Sequence, residues 1–145
     1  MKIFTVKRLV LDSILLSLLI ISAYISLPIG SVNVTLQVFM VFVIILLCKH
    51  FDSIIILTIY AIMGSIGLPV FSGFNAGSFS SPTYGFILGF IFCSILISFY
   101  SVIFNKNINL KFDLINKAVI CLLGIYIIGI PYSSFILKNN IFFMF

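Results

Sequence analysis

Charge is what this 145-residue chain has least of: only 8% of its residues are charged, whereas 63% are hydrophobic. Its mean hydropathy is +1.38. A soluble domain is typically about 45–50% apolar and about 25% charged. A water-soluble fold of this size could not hide so much apolar surface. The expected solvent is therefore lipid, and the expected architecture is one compact all-α membrane domain with no soluble module.

Other absences narrow the chemistry. The three acidic residues, Asp12, Asp52 and Asp113, lie beside basic residues near expected membrane edges. They read as local charge partners rather than as an intramembrane proton relay. His50 is the only histidine, and its charged loop suits a lipid headgroup contact better than catalysis. No G-x-x-x-x-G-K-[ST], H-E-x-x-H or G-x-S-x-G occurs, and no carboxylate pair, so nothing asks for an enzyme, a metal or a cofactor. Cys48, Cys93 and Cys121 all fall in apolar runs without C-x-x-C spacing. They read as small lipid- or core-facing residues, not as disulfides or ligands.

The net charge of +5 does not point to nucleic acid. Its eight basic residues, Lys2, Lys7, Arg8, Lys49, Lys106, Lys111, Lys117 and Lys138, sit between apolar runs instead of forming one patch. A span needs about 20 apolar residues to cross about 30 Å of hydrocarbon. Five candidates follow, at about 9–27, 34–48, 54–68, 84–104 and 118–137, the last containing Pro131. The first resembles a secretory signal, but Asp12 interrupts it, Ile21 is bulky near its end, and further spans follow, so it is kept as a span. The second and third hold 15 residues each, about 22 Å of helix. Short, Gly/Pro-interrupted spans of this kind point to binding regions in transport proteins.

The loops alternate in charge. The N-terminus, the loop with Lys49 and the loop with Lys106, Lys111 and Lys117 are basic, whereas 28–33 and 69–83 contain no Lys or Arg. The positive-inside rule places the N-terminus in the cytoplasm and the neutral loops outside. Asn33-Val34-Thr35 matches a glycosylation sequon by chance, too close to the bilayer for modification.

Two outward polar clusters remain. Asn33, Thr35 and Gln37 alternate with apolar residues at the start of span two. After the uncharged turn Gly67-Leu68-Pro69-Val70-Phe71, the stretch 72–84 interleaves Ser72, Gly73, Asn75, Ser78, Ser80, Ser81, Thr83 and Tyr84 with Phe74 and Phe79. Amides and hydroxyls mixed with aromatics suit a neutral, partly apolar ligand; they equally suit an ordinary solvated loop. Ser13 and Ser17, and likewise Gly85 and Gly89, form small-x-x-x-small faces that let helix backbones approach in lipid. Packing within the chain is the simpler reading of both, and docking of a partner helix the other.

Taken in order, Ala23-Tyr24-Ile25-Ser26-Leu27-Pro28, Val34-Thr35-Leu36-Gln37, Gly64-Ser65-Ile66-Gly67-Leu68-Pro69-Val70-Phe71 and Pro82-Thr83-Tyr84-Gly85-Phe86 resemble the BioY family. Gly124-Ile125-Tyr126 and Ile128-Gly129-Ile130-Pro131 resemble its fifth helix. BioY proteins are the biotin-specific substrate-binding (S) components of energy-coupling factor (ECF) vitamin transporters. The resemblance implies a multi-pass plasma-membrane helical bundle of six spans that takes biotin from outside. On this chain the implied ligand residues are Thr35, Gln37, Phe71, Gly73, Asn75, Thr83 and Tyr84. Implied partners are a transmembrane coupling protein and two ATPases, with Ser13 and Ser17 on the docking face of the first helix.

The chain departs from the family pattern in two places. Ser81-Pro82-Thr83-Tyr84-Gly85 stands where the family has Gly-Pro-Thr-Gly-Gly. The family's last helix carries Gly-Asp-x-x-Lys, but here five spans are present of an expected six and no acidic residue follows Asp113. A ligand carboxylate buried without its cationic partner is costly to desolvate. The expectation is a truncated reading frame with weak or absent biotin binding. The alternatives are an S component for another small vitamin, and a small helical membrane protein with a structural or interaction role.

Overall fold

A computed structural model of the chain describes residues 6–29, 32–48, 50–72, 81–104 and 110–137. Among these residues there are five helices, with one β-hairpin between the first two: α1 (Val6–Tyr24), β1 (Ser26–Ile29), β2 (Val32–Thr35), α2 (Gln37–Leu47), α3 (His50–Ser65), α4 (Tyr84–Phe104) and α5 (Leu110–Leu137). Lys2, Lys49, Lys106 and Lys138 of the charge pattern lie outside the described residues.

The hairpin corrects the expected limits of the first two spans. Helix α1 stops at Tyr24, and 26–29 pair antiparallel with 32–35, Ser26 opposite Thr35 and Ile29 opposite Val32. Pro28 has no N–H for a helical bond and biases Leu27 to extended backbone, while Val32, Val34 and Thr35 are β-branched strand formers. The Leu36 N–H donates to the Ile25 carbonyl at 3.0 Å and closes the base of the hairpin.

Helix α5 also starts earlier than expected, at Leu110 instead of 118. Its first two turns carry Asp113 and Lys117, whose Oδ2 and Nζ lie 2.7 Å apart as an i,i+4 pair. At 28 residues, α5 is about 42 Å long. That exceeds the hydrocarbon thickness of about 30 Å, so these charges need not enter lipid. By length and composition, Tyr84–Ile103 and Leu110–Ile136 suffice to cross a membrane, and Gln37–Leu47 and Phe51–Ser65 are shorter apolar helices.

Because the helices are apolar on nearly every face, small residues and hydroxyls decide which faces meet. Between α4 and α5 four glycines allow close approach. A Cβ on Gly89 would lie 2.8 Å from the Ile125 carbonyl oxygen, and one on Gly124 3.0 Å from Cys93 Cβ. Gly85 faces Tyr132, and Gly129 faces Phe86. The Gly85/Gly89 face thus packs within the chain. Cys93 and Cys121 are buried on this seam as free thiols 3.6 Å apart, whereas Cys48 is half-buried. Ser53 and Ser94 are hydroxyl neighbours at 3.4 Å between α3 and α4. Such contacts hold helices together in lipid, where the hydrophobic effect between them is lost. Leu15, Leu19, Ile44, Leu57, Tyr60, Phe90 and Ile97 form the centre of the core.

Candidate ligand site

The end of the bundle where α1 and α3 finish and α2 and α4 begin is organised around the turn that follows α3. The Leu68 N–H donates to Met63 O and the Gly67 N–H to Gly64 O, both at 3.2 Å. Gly67 sits at φ 105°. This is a Schellman C-cap, and the left-handed position is one that glycine fills without Cβ strain. Pro69 then ends any helical continuation, and the Val70 N–H donates back to Leu68 O at 2.8 Å.

Two tyrosines clamp the turn. The Tyr24 hydroxyl, at the end of α1, donates to Pro69 O at 2.5 Å, and the Tyr60 hydroxyl, inside α3, donates to Val70 O at 2.9 Å. Phe71 is thereby turned into the bundle against Gly64, whose missing Cβ would lie 2.0 Å from the ring. The ring meets Tyr60 edge-on at 5.2 Å and Tyr84 at 6.4 Å, and Tyr84 is in turn 6.4 Å from Tyr132 of α5. Ser65 Oγ donates to Ala61 O and lies 2.8 Å from the Tyr84 hydroxyl. With its one proton used, Ser65 accepts from Tyr84.

The opening of α4 is held in the same way. Ser81 Oγ and Thr83 Oγ1 are 2.7 Å apart, and the Tyr84 N–H donates to Ser81 O at 3.1 Å. From α5, Ser133 Oγ reaches both Pro82 O at 2.7 Å and Gly129 O at 2.8 Å. The resulting wall consists of phenols, hydroxyls and carbonyls on rigid helix ends, with no formal charge.

The sequence-derived site residues distribute unequally over this end. Phe71 and Tyr84 are brought together, but both are buried, at 4% exposure, and serve as packed parts of the wall. Thr83 is half-buried beside Ser81. Thr35 ends β2 and Gln37 begins α2. Gln37 is 5% exposed, and its Nε2 has no hydrogen-bond partner among the described residues. Gly73 and Asn75 lie outside the described residues. Ser13 and Ser17 are elsewhere, exposed on α1, each hydroxyl donating to the carbonyl four residues earlier. With Val6, Leu9, Val10, Ile14 and Leu18 they line an open groove of about 460 Å³.

Sequence reasoning missed Tyr24, Tyr60, Ser65 and Ser133. The available signal was a phenol in the middle of an apolar span: in lipid the Tyr60 hydroxyl must find an acceptor inside the protein.

Comparison with known proteins now decides the family. The model of the BioY family matches residues 1–144. The chain belongs to the BioY family. It is 39% identical over 88 residues to the biotin transporter BioY of Thermotoga maritima, covering 59% of this chain and 52% of that protein. It is 37% identical over 86 residues to the probable biotin transporter BioY of Pyrococcus horikoshii, covering 58% and 53%. The chain thus spans about half the length of the curated relatives it matches. The crystal structure of the S-component for biotin from an ECF-type ABC transporter superposes with a TM-score of 0.84 over 96% of this chain and 77% of that one, at 24% identity. This BioY-family chain is therefore a membrane protein with the S-component fold, and the all-helical bundle inferred from sequence has its counterpart in a solved structure. The hairpin between α1 and α2 is the one element among the described residues that the sequence reading did not include.

Proposed function

We propose that this BioY-family chain is the membrane-embedded substrate-binding subunit of a biotin importer and performs no chemistry of its own. The observation that carries the reading is the conjunction of family membership with an uncharged end built from phenols, hydroxyls and an amide. Biotin is a small ligand with a polar ureido ring, an apolar bicycle and chain, and a carboxylate. A site of this composition offers donors to its polar groups and rings to its body. Thr35, Gln37, Phe71, Thr83 and Tyr84, with Gly73 and Asn75 outside the described residues, are the residues assigned to that site.

The positive-inside pattern puts this end on the outer face of the plasma membrane and the N-terminus in the cytoplasm. Energy comes from partners, an ECF coupling protein and two ATPases, because the chain carries no nucleotide-binding motif. The α1 groove is the docking face for the coupling protein. Ser13 and Ser17 use their hydroxyls on their own helix and so present a small, neutral surface to an approaching backbone.

Equilibrium binding of labelled biotin to the purified chain in lipid nanodiscs tests the reading, with Thr35→Ala/Gln37→Ala alongside. Saturable binding lost in the variant supports it. Saturable binding of a different vitamin instead would reassign the substrate, and no vitamin binding would leave a structural or interaction role. Co-purification with the coupling protein should fail for Ser13→Leu/Ser17→Leu while biotin binding is retained.

A further inference from the structure

The hydroxyl of Ser133 has two carbonyls within reach and one proton to give. It is fully buried on α5, 2.7 Å from Pro82 O in the turn that opens α4 and 2.8 Å from Gly129 O in its own helix. The second acceptor is sufficient by itself: Ser65, Ser98 and Ser134 each donate to the carbonyl four residues back. Ser133 would therefore stay satisfied if the turn moved away, and the Pro82 carbonyl, at the end of the bundle, would meet water. Such an exchangeable bond breaks at far lower cost than one whose donor would be stranded in apolar surroundings.

The helix is weakened just before this point. Pro131 lies inside α5. It has no N–H to give the Ile127 carbonyl, and its ring crowds that group. Sharp bends in helices fall at such prolines. Residues 132–137 beyond it make less than two turns, yet they carry the contacts to the start of α4. Tyr132 packs directly over Gly85, where an added Cβ would lie 2.5 Å from the Tyr132 Cβ, and its ring is 6.4 Å from that of Tyr84.

We propose that α5 beyond Pro131 is a hinged arm, latched to the 81–83 turn by Ser133, whose release opens the phenol-lined end of the bundle to ligand. Latched, Ser133 donates to Pro82 O. Released, it donates to Gly129 O alone, and Tyr132 withdraws from Gly85 and Tyr84. The gate rests on the biotin reading for what passes; the latch rests only on the hydrogen bonds and the proline.

The test uses the full chain in nanodiscs as wild type, Ser133→Ala and Pro131→Ala. Ser133→Ala removes the latch, whereas Pro131→Ala restores a backbone N–H and stiffens the hinge. Hydrogen–deuterium exchange reads the latch without ligand, through the Tyr84 and Phe86 amides that donate to Ser81 O and Thr83 O. These should exchange roughly three- to tenfold faster in Ser133→Ala and more slowly in Pro131→Ala, with α3 unchanged. Dissociation of labelled biotin, followed by stopped flow, should change in the same directions by similar factors.

Purely structural roles predict that both substitutions loosen the turn. Faster exchange in both variants, or no change in Ser133→Ala, overturns the latch. Exchange that follows the expected pattern with unchanged biotin dissociation overturns the gate and leaves the biotin reading standing. Wild type that binds no biotin, with exchange as expected, overturns the biotin reading and supports the latch.

Discussion

Substituting Gly64 by alanine tests whether the turn after α3 is locked as described. In an exposed helix the change would stabilise by roughly 1 kcal/mol, because alanine is the better helix former. Here the new Cβ falls 2.0, 2.4 and 2.6 Å from three atoms of the Phe71 ring, where ordinary contact begins at 3.4 Å, so the ring must retreat by about 1.4 Å. It has little room to do so. Phe71 is buried, Tyr60 and Tyr84 lie edge-on to it at 5.2 and 6.4 Å, and the Tyr60 hydroxyl holds the Val70 carbonyl immediately before it.

Overpacking of this kind costs about 1–3 kcal/mol or somewhat more. The clash should therefore outweigh the propensity gain and leave Gly64→Ala destabilised by about 1–2 kcal/mol, or roughly 3–7 °C in melting temperature. Phe71→Leu alone should cost about 1 kcal/mol for the space it leaves. The double variant should be more stable than the sum of the singles predicts, by about 1 kcal/mol, because leucine vacates the place the new methyl needs. Thermal unfolding can be followed with a thiol-reactive fluorophore, since Cys93 and Cys121 are buried and become reactive only when α4 and α5 separate. A Gly64→Ala protein as stable as wild type, or strictly additive effects in the cycle, would refute the argument.

Other perturbations probe separate parts of the molecule. Tyr60→Phe leaves the Val70 carbonyl without its donor inside a buried site, so stability should fall by about 1–3 kcal/mol, read by the same thermal assay; an unchanged value would remove the clamp. Mild oxidation with iodine in native membranes should link Cys93 to Cys121 within one chain, because their sulfurs are 3.6 Å apart, and mass spectrometry of the digest would show the joined peptides; recovery of only Cys48-linked dimers would contradict the α4–α5 seam. Asp113→Asn breaks a surface i,i+4 pair and should move the melting temperature by no more than the equivalent of about 0.5 kcal/mol; a large loss would mean that this turn of α5 is packed rather than solvated.

Much of the bundle was legible from residues because lipid as solvent imposes long apolar runs, and those runs are visible without a fold. Helix α4 has the expected limits, 84 to 104. The errors fall where a residue's role depends on what it meets. Ser26 and Leu27 looked like the end of a span, yet Pro28 and the pairing of 26–29 with 32–35 make them part of a strand. Leu110–Lys117 looked like a loop because it is charged, but an i,i+4 ion pair and a helix longer than the hydrocarbon core accommodate it as helix. Phe71 looked like an exposed aromatic of a binding loop. A Schellman cap reversed the chain and buried it, and no spacing rule shows which way a ring turns after such a cap.

The sequence by itself determined the solvent, the number and order of the apolar helices, and the family, because composition and short motifs survive without knowledge of contacts. It also marked Gly67 and Pro69 as a turn, since glycine and proline carry their backbone preferences with them. Only the tertiary structure decided which hydroxyls face which carbonyls: Tyr24 on Pro69, Tyr60 on Val70, Ser133 on Pro82. Those pairs join residues 45, 10 and 51 positions apart. In lipid every buried polar group must be met within the protein, but which partner meets it is set by how the helices pack.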